Sequence, residues 1–315
     1  MPKPIINRRK ALKFIGLSAG VTVLPKSGTL MTKPAATKNH TFTFCLNMAT
    51  IRGHKLGFVK ELETASKAGF RSVEIWMDSL QTYLNNGGTV KKAKMLLDDL
   101  GIKVENSIGF AQWIVDDEVI RKKGIEQMKR EMALLAEINC ARMAATAMGV
   151  NNETGVNVKA TPERYRVILE LGSTMGIVPI LEMWGFTKNI STASETLALA
   201  MESGHPSAKI LLDVFHLYRG NTPLDSLHLM NPKANDILHM NDYPPTPPYD
   251  VITDADRIYP GDGIAPLKHI LQILKRNDQP LVLSAELFNQ AYYDQDALVV
   301  AKTALLKMKS VADGI

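Results

Sequence analysis

The stretch Lys209-Ile210-Leu211-Leu212-Asp213-Val214-Phe215-His216 (KILLDVFH, residues 209–216) decides how the chain is read. A short aliphatic run closed by a carboxylate is the pattern of a buried strand with a polar C-terminal end, and it is too short for a helix. Taken alone, Asp213 and His216 are either a satisfied structural pair or part of a site. The choice depends on whether the pattern recurs, and on what the other strand ends carry.

It does recur. Short β-rich runs predict strands at residues 41–47, 72–76, 102–106, 141–146, 177–182, 209–213, 236–240 and 281–286. Segments of helical period lie between them, at 57–68, 89–100, 118–138, 161–175, 192–203, 222–230, 264–276 and 295–311. Thr161-Pro162-Glu163 reads as an N-cap, a first-turn proline and an acidic first turn, while Gly69, Gly101 and Gly176 stand where helices should stop. Eight βα units in residues 41–315 match an α/β chain folded as one (β/α)8 (TIM) barrel domain. A doubly wound open sheet is the alternative. It would carry a glycine-rich phosphate loop after its first strand, and Asn47-Met48-Ala49-Thr50-Ile51-Arg52-Gly53 is not one.

The 315 residues, 45% apolar, suffice for a large core. The net charge of +5 is uneven: residues 1–40 hold eight Lys and Arg and no acid, so 37 less 8 leaves 29 basic against 32 acidic residues, a net of −3. A mildly acidic body argues against a nucleic-acid partner. Residues 1–40 read as an export leader and linker: a basic segment around Arg8, Arg9 and Lys10, an apolar block at 14–24 too short to span a membrane, then a Lys/Thr/Pro/Ala-rich stretch. The paired arginines followed by Leu12 and Lys13 resemble a twin-arginine signal and imply a periplasmic location, with a disordered basic tail on a cytoplasmic protein as the alternative. No stable membrane insertion is expected. Cys45 and Cys140, each beside apolar residues, read as buried free thiols.

In such a barrel the active site forms at the C-terminal strand ends. Glu182 closes the fifth run, Asp213 the sixth and Glu286 the eighth, and His239 lies near the end of the seventh. Three crowded carboxylates would repel and take up protons, whereas a divalent cation makes the same arrangement attractive. Oxygen-rich ligation with one imidazole suits Mn²⁺, Mg²⁺, Co²⁺ or Zn²⁺.

Glu182, Asp213-Val214-Phe215-His216, His239 with Asp242, Arg257-Ile258-Tyr259-Pro260-Gly261-Asp262-Gly263 and Ser284-Ala285-Glu286-Leu287-Phe288 together resemble the xylose isomerase-like sugar phosphate isomerase/epimerase superfamily. The resemblance, over residues 41 to about 310, implies that Glu182, Asp213, His239 and Glu286 bind one catalytic divalent ion, Mn²⁺ before the others, and that His216 faces substrate beside it. It further implies that Glu182 and Glu286 exchange protons on opposite faces of a ketose, through an enediolate that the cation stabilises. The expected activity is isomerisation or epimerisation of a polyhydroxylated small molecule, a sugar or inositol derivative. A lyase on the same site, of the inosose or 3-dehydroshikimate dehydratase kind, and a carbohydrate-binding protein without activity are the alternatives, and a homo-oligomer is compatible with all three. The DNA-repair branch of the superfamily, with three zinc ions, would need histidines and acids on the earlier strand ends, where ATAMG and NSIGF stand instead.

Further residues around these strand ends are weighed. Trp184 can offer an apolar face to a sugar ring or pack in the core, as Trp76 and Trp113 should. Arg257, in a long loop after the seventh strand, can clamp an anionic or hydroxyl group or anchor its loop on Asp254 or Asp262. Asp242 is expected to orient a neighbouring imidazole or arginine. Glu74 and Glu105, inside the second and third strands, either reach the barrel mouth or pair with a Lys or Arg.

Overall fold

A computed structural model of the chain describes residues 41–276 and 278–315; the expected leader and linker, residues 1–40, lie outside them. Among the described residues, eight parallel strands close into a ring in sequence order, β1 (Phe42–Asn47), β2 (Ser72–Trp76), β3 (Lys103–Ile108), β4 (Arg142–Ala145), β5 (Val178–Glu182), β6 (Ile210–Asp213), β7 (Ile237–Met240) and β8 (Leu281–Ala285). β8 pairs back on β1, from Phe42 opposite Leu281 to Leu46 opposite Ala285, so no sheet edge is exposed. The expected strands fall within one or two residues of these, because each is an aliphatic or β-branched run bounded by turn residues.

The helices follow the expected period with instructive departures. Thr89 caps α4 (Val90–Leu100), and Gly69 and Gly101, at φ 100° and 61°, end α2 (Phe58–Ala68) and α4 in the left-handed conformation that favours glycine. Thr161 is already the first residue of α6 (Thr161–Ser173), with Ala160 in the cap position and Thr161 itself giving no capping bond. The expected helix at 222–230 is a 3₁₀ segment, Leu224–Leu229: Pro223 and Pro232 leave too short a run for α-helix to propagate. Pro266 delays α9 to Leu267–Leu274. Four α-helices among the described residues had no expected counterpart, two of them the single turns α1 (Ala49–Arg52) and α10 (Gln290–Tyr293). α3 (Met77–Asn85) begins directly after β2, and α8 (Val214–Arg219) directly after β6. Oδ1 of Asp213 caps α8 by accepting the backbone N–H of His216 at 3.1 Å. The spacing of Asp213 and His216 is thus that of an N-cap and the third helical residue.

Polar residues inside the ring divide by height. At the N-terminal ends of the strands, Asp236 accepts from Arg276 (2.6 Å), Lys209 (2.9 Å) and Arg142 (3.3 Å), and Arg142 spans to Glu105 (3.3 Å), which also takes Lys103 at 2.8 Å. Glu105 is therefore an ion-paired structural residue. Cys45 and Cys140 are buried free thiols, both pushed upward in pKa by burial. No helix among the described residues is long and apolar enough to cross a membrane.

Burial would raise the pKa of Asp236, but the hydrogen bonds from Lys209 and Arg276 outweigh it and hold the carboxyl below its usual range. A depressed carboxyl stabilises the fold above the unfolded-state value of about 3.9 and loses that contribution as pH falls through the folded value. Asp236→Asn, which leaves the buried Arg276 without its main partner, should therefore cost about 3–5 kcal/mol near neutral pH. Urea unfolding at pH 7 and pH 3.5 checks this; the gap to wild type should shrink at the lower pH.

Candidate metal and proton-transfer site

At the opposite ends of the strands, the ring brings Glu182, Asp213, His239 and Glu286 together, all buried. Nδ1 of His239 lies 2.9 Å from Glu286 Oε2, 3.5 Å from Asp213 Oδ2 and 3.9 Å from Glu182 Oε1. One ligand atom from each of Asp213, His239 and Glu286 falls within 4.8 Å of the others, with the Glu182 carboxyl beside them. Although Glu286 is close, its contact with Nδ1 is not aligned as a hydrogen bond, and this buried ring nitrogen has no hydrogen-bond partner among the described residues. A buried, unpartnered imidazole nitrogen facing carboxylate oxygens is a donor set that fits a divalent cation.

Arg257 reaches into the same cluster, and its placement differs from a free clamp. Nη1 donates to Asp213 (2.6 Å) and Glu286 (2.9 Å), Nη2 to Asp254 (2.6 Å) with Nε2 of His216 at 3.4 Å, and Nε to Asp254 (3.0 Å). These contacts engage all five N–H donors of a guanidinium. The rings of Phe215 and Phe288 cover it at 4.6 and 5.2 Å. Arg257 therefore braces the carboxylates and, through Asp254, its own loop, with no donor left to clamp a substrate.

Asp242 meets no imidazole or guanidinium among the described residues. Its carboxylate accepts the backbone N–H groups of Tyr243, Gly261, Gly263 and Ala265 at 2.8–3.1 Å. Its backbone exchanges two hydrogen bonds with Ile258, the residue after Arg257. Asp242 thus sets the arginine through the main chain and not by side-chain contact. Gly263 is required here, since a Cβ would sit 2.2 Å from the Tyr243 carbonyl and 2.3 Å from the Asp242 carboxylate.

His216 is buried, edge-on to Phe186 at 5.1 Å. Burial pushes its pKa down to about 4, against the pull of Asp213, so the ring is neutral at physiological pH. Arginine can only donate, so Nε2 of His216 is the acceptor and Nδ1 carries the proton. Trp184 is half-buried, packs on Phe186 at 5.9 Å and turns its indole N–H toward the Glu182 carboxyl, where it favours the ionised form. Trp113 is core, bonded to the Thr146 carbonyl, and Trp76 donates to Asn47 at 2.9 Å.

Three contributors were not picked out from the sequence. Asn47 donates to both Glu286 (2.9 Å) and Glu74 (3.2 Å), Asn106 donates to Glu74 (2.7 Å), and Asn241 donates to Asp213 (3.1 Å). Asparagine at a strand end carries no chemistry by itself. The only signal was position, Asn47 closing the first strand and Asn241 standing between His239 and Asp242.

The two outer glutamates differ. Burial raises Glu182 to about 8, partly offset by His239, whereas His239 and Arg257 restrain the rise caused by burial at Glu286. Both oxygens of Glu286 accept hydrogen bonds, from Asn47 and Arg257. Glu182 is protonated in the folded protein at neutral pH when no cation is bound.

A closed parallel barrel with an acid-rich, histidine-containing rim at its C-terminal strand ends defines a class of small-molecule enzyme scaffold. Residues 62–309 match the model of the xylose isomerase-like TIM barrel family, and the chain belongs to that family. It is 28% identical over 265 residues to an inosose isomerase of Halalkalibacterium halodurans, covering 82% of this chain and 93% of that protein. A 3-dehydroshikimate dehydratase of Bacillus anthracis is 24% identical over 194 residues, 60% of this chain and 68% of that protein. Among solved structures, one described as the IOLI protein with a binding zinc atom superposes with a TM-score of 0.77 at 22% identity, covering 86% of this chain and 98% of that one.

A carboxyl whose folded pKa lies above its unfolded value of about 4.3 stabilises the fold only below that value, and the contribution is lost as pH rises toward the folded value. In chelator-treated protein, Glu182→Gln should therefore raise Tm relative to wild type, with a larger gap at pH 8 than at pH 5. Thermal unfolding at the two pH values decides it.

Proposed function

We propose that this protein is a divalent-metal-dependent isomerase or epimerase of a hydroxy-ketone polyol, most closely an inosose or an unphosphorylated ketose. The observation that carries the reading is the convergence of Glu182, Asp213 and Glu286 on the unpartnered Nδ1 of His239. The match to an inosose isomerase over nearly the whole of that protein supports the substrate class.

Asp213, His239 and Glu286, with Glu182 beside them, would hold the cation, and the cation would supply positive charge where electron density develops as a carbon-bound proton leaves. The chain's own groups do the rest. Glu286, fixed by Asn47 and Arg257 as a hydrogen-bond acceptor, is a base held in one orientation. Glu182 comes from β5, separated from it on the ring by β6 and β7, with the Trp184 indole N–H beside its carboxyl. It is free to give or take a proton from its own side. The neutral His216 offers its Nδ1–H to a substrate hydroxyl or carbonyl. Trp184 and Phe186 give the mouth an apolar wall suited to the C–H face of a ring.

A dehydratase on the same residues is the second reading, supported by the match to a 3-dehydroshikimate dehydratase. Incubating the Mn²⁺-loaded protein with a panel of inososes and ketoses in D₂O, followed by NMR, separates the two. Deuterium uptake without loss of water is the expected result; loss of water supports the lyase, and no reaction on any substrate overturns both. Glu182→Gln and Glu286→Gln should each lower kcat by about 10²- to 10⁴-fold. Elemental analysis should find bound metal in wild type and little in Asp213→Ala or Glu286→Ala. Export by residues 1–40 belongs to this proposal and favours an unphosphorylated substrate; a reporter fused to those residues should cross the membrane.

A further inference from the structure

Glu74 is fully buried in the middle of β2, where its register partner on β1 is Asn47. A carboxylate inside a barrel costs several kcal/mol to desolvate, and an apolar residue of similar size would fill the same volume without that cost. Its surroundings are built to receive it. Asn106 donates to Oε1 at 2.7 Å, Asn47 donates to Oε2 at 3.2 Å, and Nε2 of His239 stands 3.1 Å from Oε2. Three donors from three other strands converge on one anion, and one of them is the imidazole of the candidate metal site.

An imidazole has two nitrogens on opposite sides of the ring, and a hydrogen bond at one fixes what the other presents. With Nε2–H given to Glu74, only Nδ1 can face Asp213 and Glu286, where the distances of 3.5 and 2.9 Å place it. Asn47 extends the brace, because the same Nδ2 that bonds Glu74 also bonds Oε1 of Glu286 at 2.9 Å. Its Oδ1 is in turn held by the Trp76 indole N–H and the Ala49 backbone N–H. One fixed amide thus ties the carboxylate behind the histidine to a carboxylate in front of it.

We propose that Glu74 is the positioning residue of the cation site, orienting His239 for ligation and, through Asn47, holding Glu286 in register with it. The inference rests on the reading of Asp213, His239 and Glu286 as metal ligands, and it assigns to β2 a role in a site otherwise drawn from β5 to β8. Glu74 touches neither substrate nor cation; it acts through His239. The consequence is that metal affinity depends on a residue with no atom in the coordination sphere.

The test measures Zn²⁺ affinity by competition with a chromophoric chelator in wild type, Glu74→Gln, Glu74→Asp and Asp213→Ala, with circular dichroism confirming the fold of each. Glu74→Gln should bind about 10- to 100-fold more weakly than wild type, as loss of a carboxylate behind a ligating histidine does, and Glu74→Asp, which keeps the charge, should recover part of the loss. A purely structural role would lower Tm and leave the affinity of the folded protein unchanged. In the Zn²⁺-loaded wild type, ¹⁵N-histidine NMR should find His239 protonated at Nε2 and not at Nδ1, with the Nε2–H signal shifted in Glu74→Gln. If Glu74→Gln does not fold, Glu74→Asp decides, with about tenfold weaker binding expected. Binding within twofold of wild type in every folded Glu74 variant, while Asp213→Ala binds poorly, overturns the proposal alone. Equal binding by wild type and Asp213→Ala overturns the metal-site reading itself, and the Glu74 inference with it.

Discussion

The rim of this barrel is organised by an electrostatic problem, the burial of four carboxylates, Glu74, Glu182, Asp213 and Glu286, around a single imidazole. Like charges removed from water either take up protons or are neutralised by cations. The structure uses both routes: Glu182 is pushed up to about 8, and Arg257 spans Asp213 and Glu286 with its guanidinium. The remaining negative charge converges on His239, whose pKa is lifted well above the imidazole range by Glu286, Glu74 and Asp213 despite burial. A divalent cation in place of the Nδ1 proton of His239 answers the same demand with more charge.

Much of the loop architecture above the strands exists to deliver that one arginine. Asp242 gathers backbone N–H groups from Gly261 to Ala265 and pairs its own backbone with Ile258. Asp254 holds the guanidinium from the solvent side, and Phe215 and Phe288 cover its faces. The loop Arg257-Ile258-Tyr259-Pro260-Gly261-Asp262-Gly263 is therefore a support for charge balance in the site. Its glycine at 263 is explained by a steric limit.

The two ends of the barrel carry opposite charge logic. At the N-terminal ends of the strands, Lys103, Arg142, Lys209 and Arg276 outnumber Glu105 and Asp236, and every acid there is paired. At the C-terminal ends Glu74, Glu182, Asp213 and Glu286 outnumber Arg257, and Nδ1 of His239 is left over. Stability chemistry and site chemistry thus occupy separate layers of one core. The first can tighten the ring without constraining side chains that must exchange protons or bind a cation.

The eightfold alternation was legible in the sequence because β-rich runs and helical periods alternate cleanly, and short helices were missed where they start directly on a strand end, as at Met77 and Val214. Glu182, Asp213, His239 and Glu286 could be picked out because each interrupts or closes an apolar run, a local signal that needs no partner to be seen. What only the tertiary structure decided is which residues those four meet. Glu74 lies 165 positions from His239, Asn47 lies 239 from Glu286, and Arg257 lies 44 from Asp213. Those contacts exist only after β8 closes on β1 and the loop after β7 folds back, since pairing across a ring is set by its closure and not by any local pattern of residues.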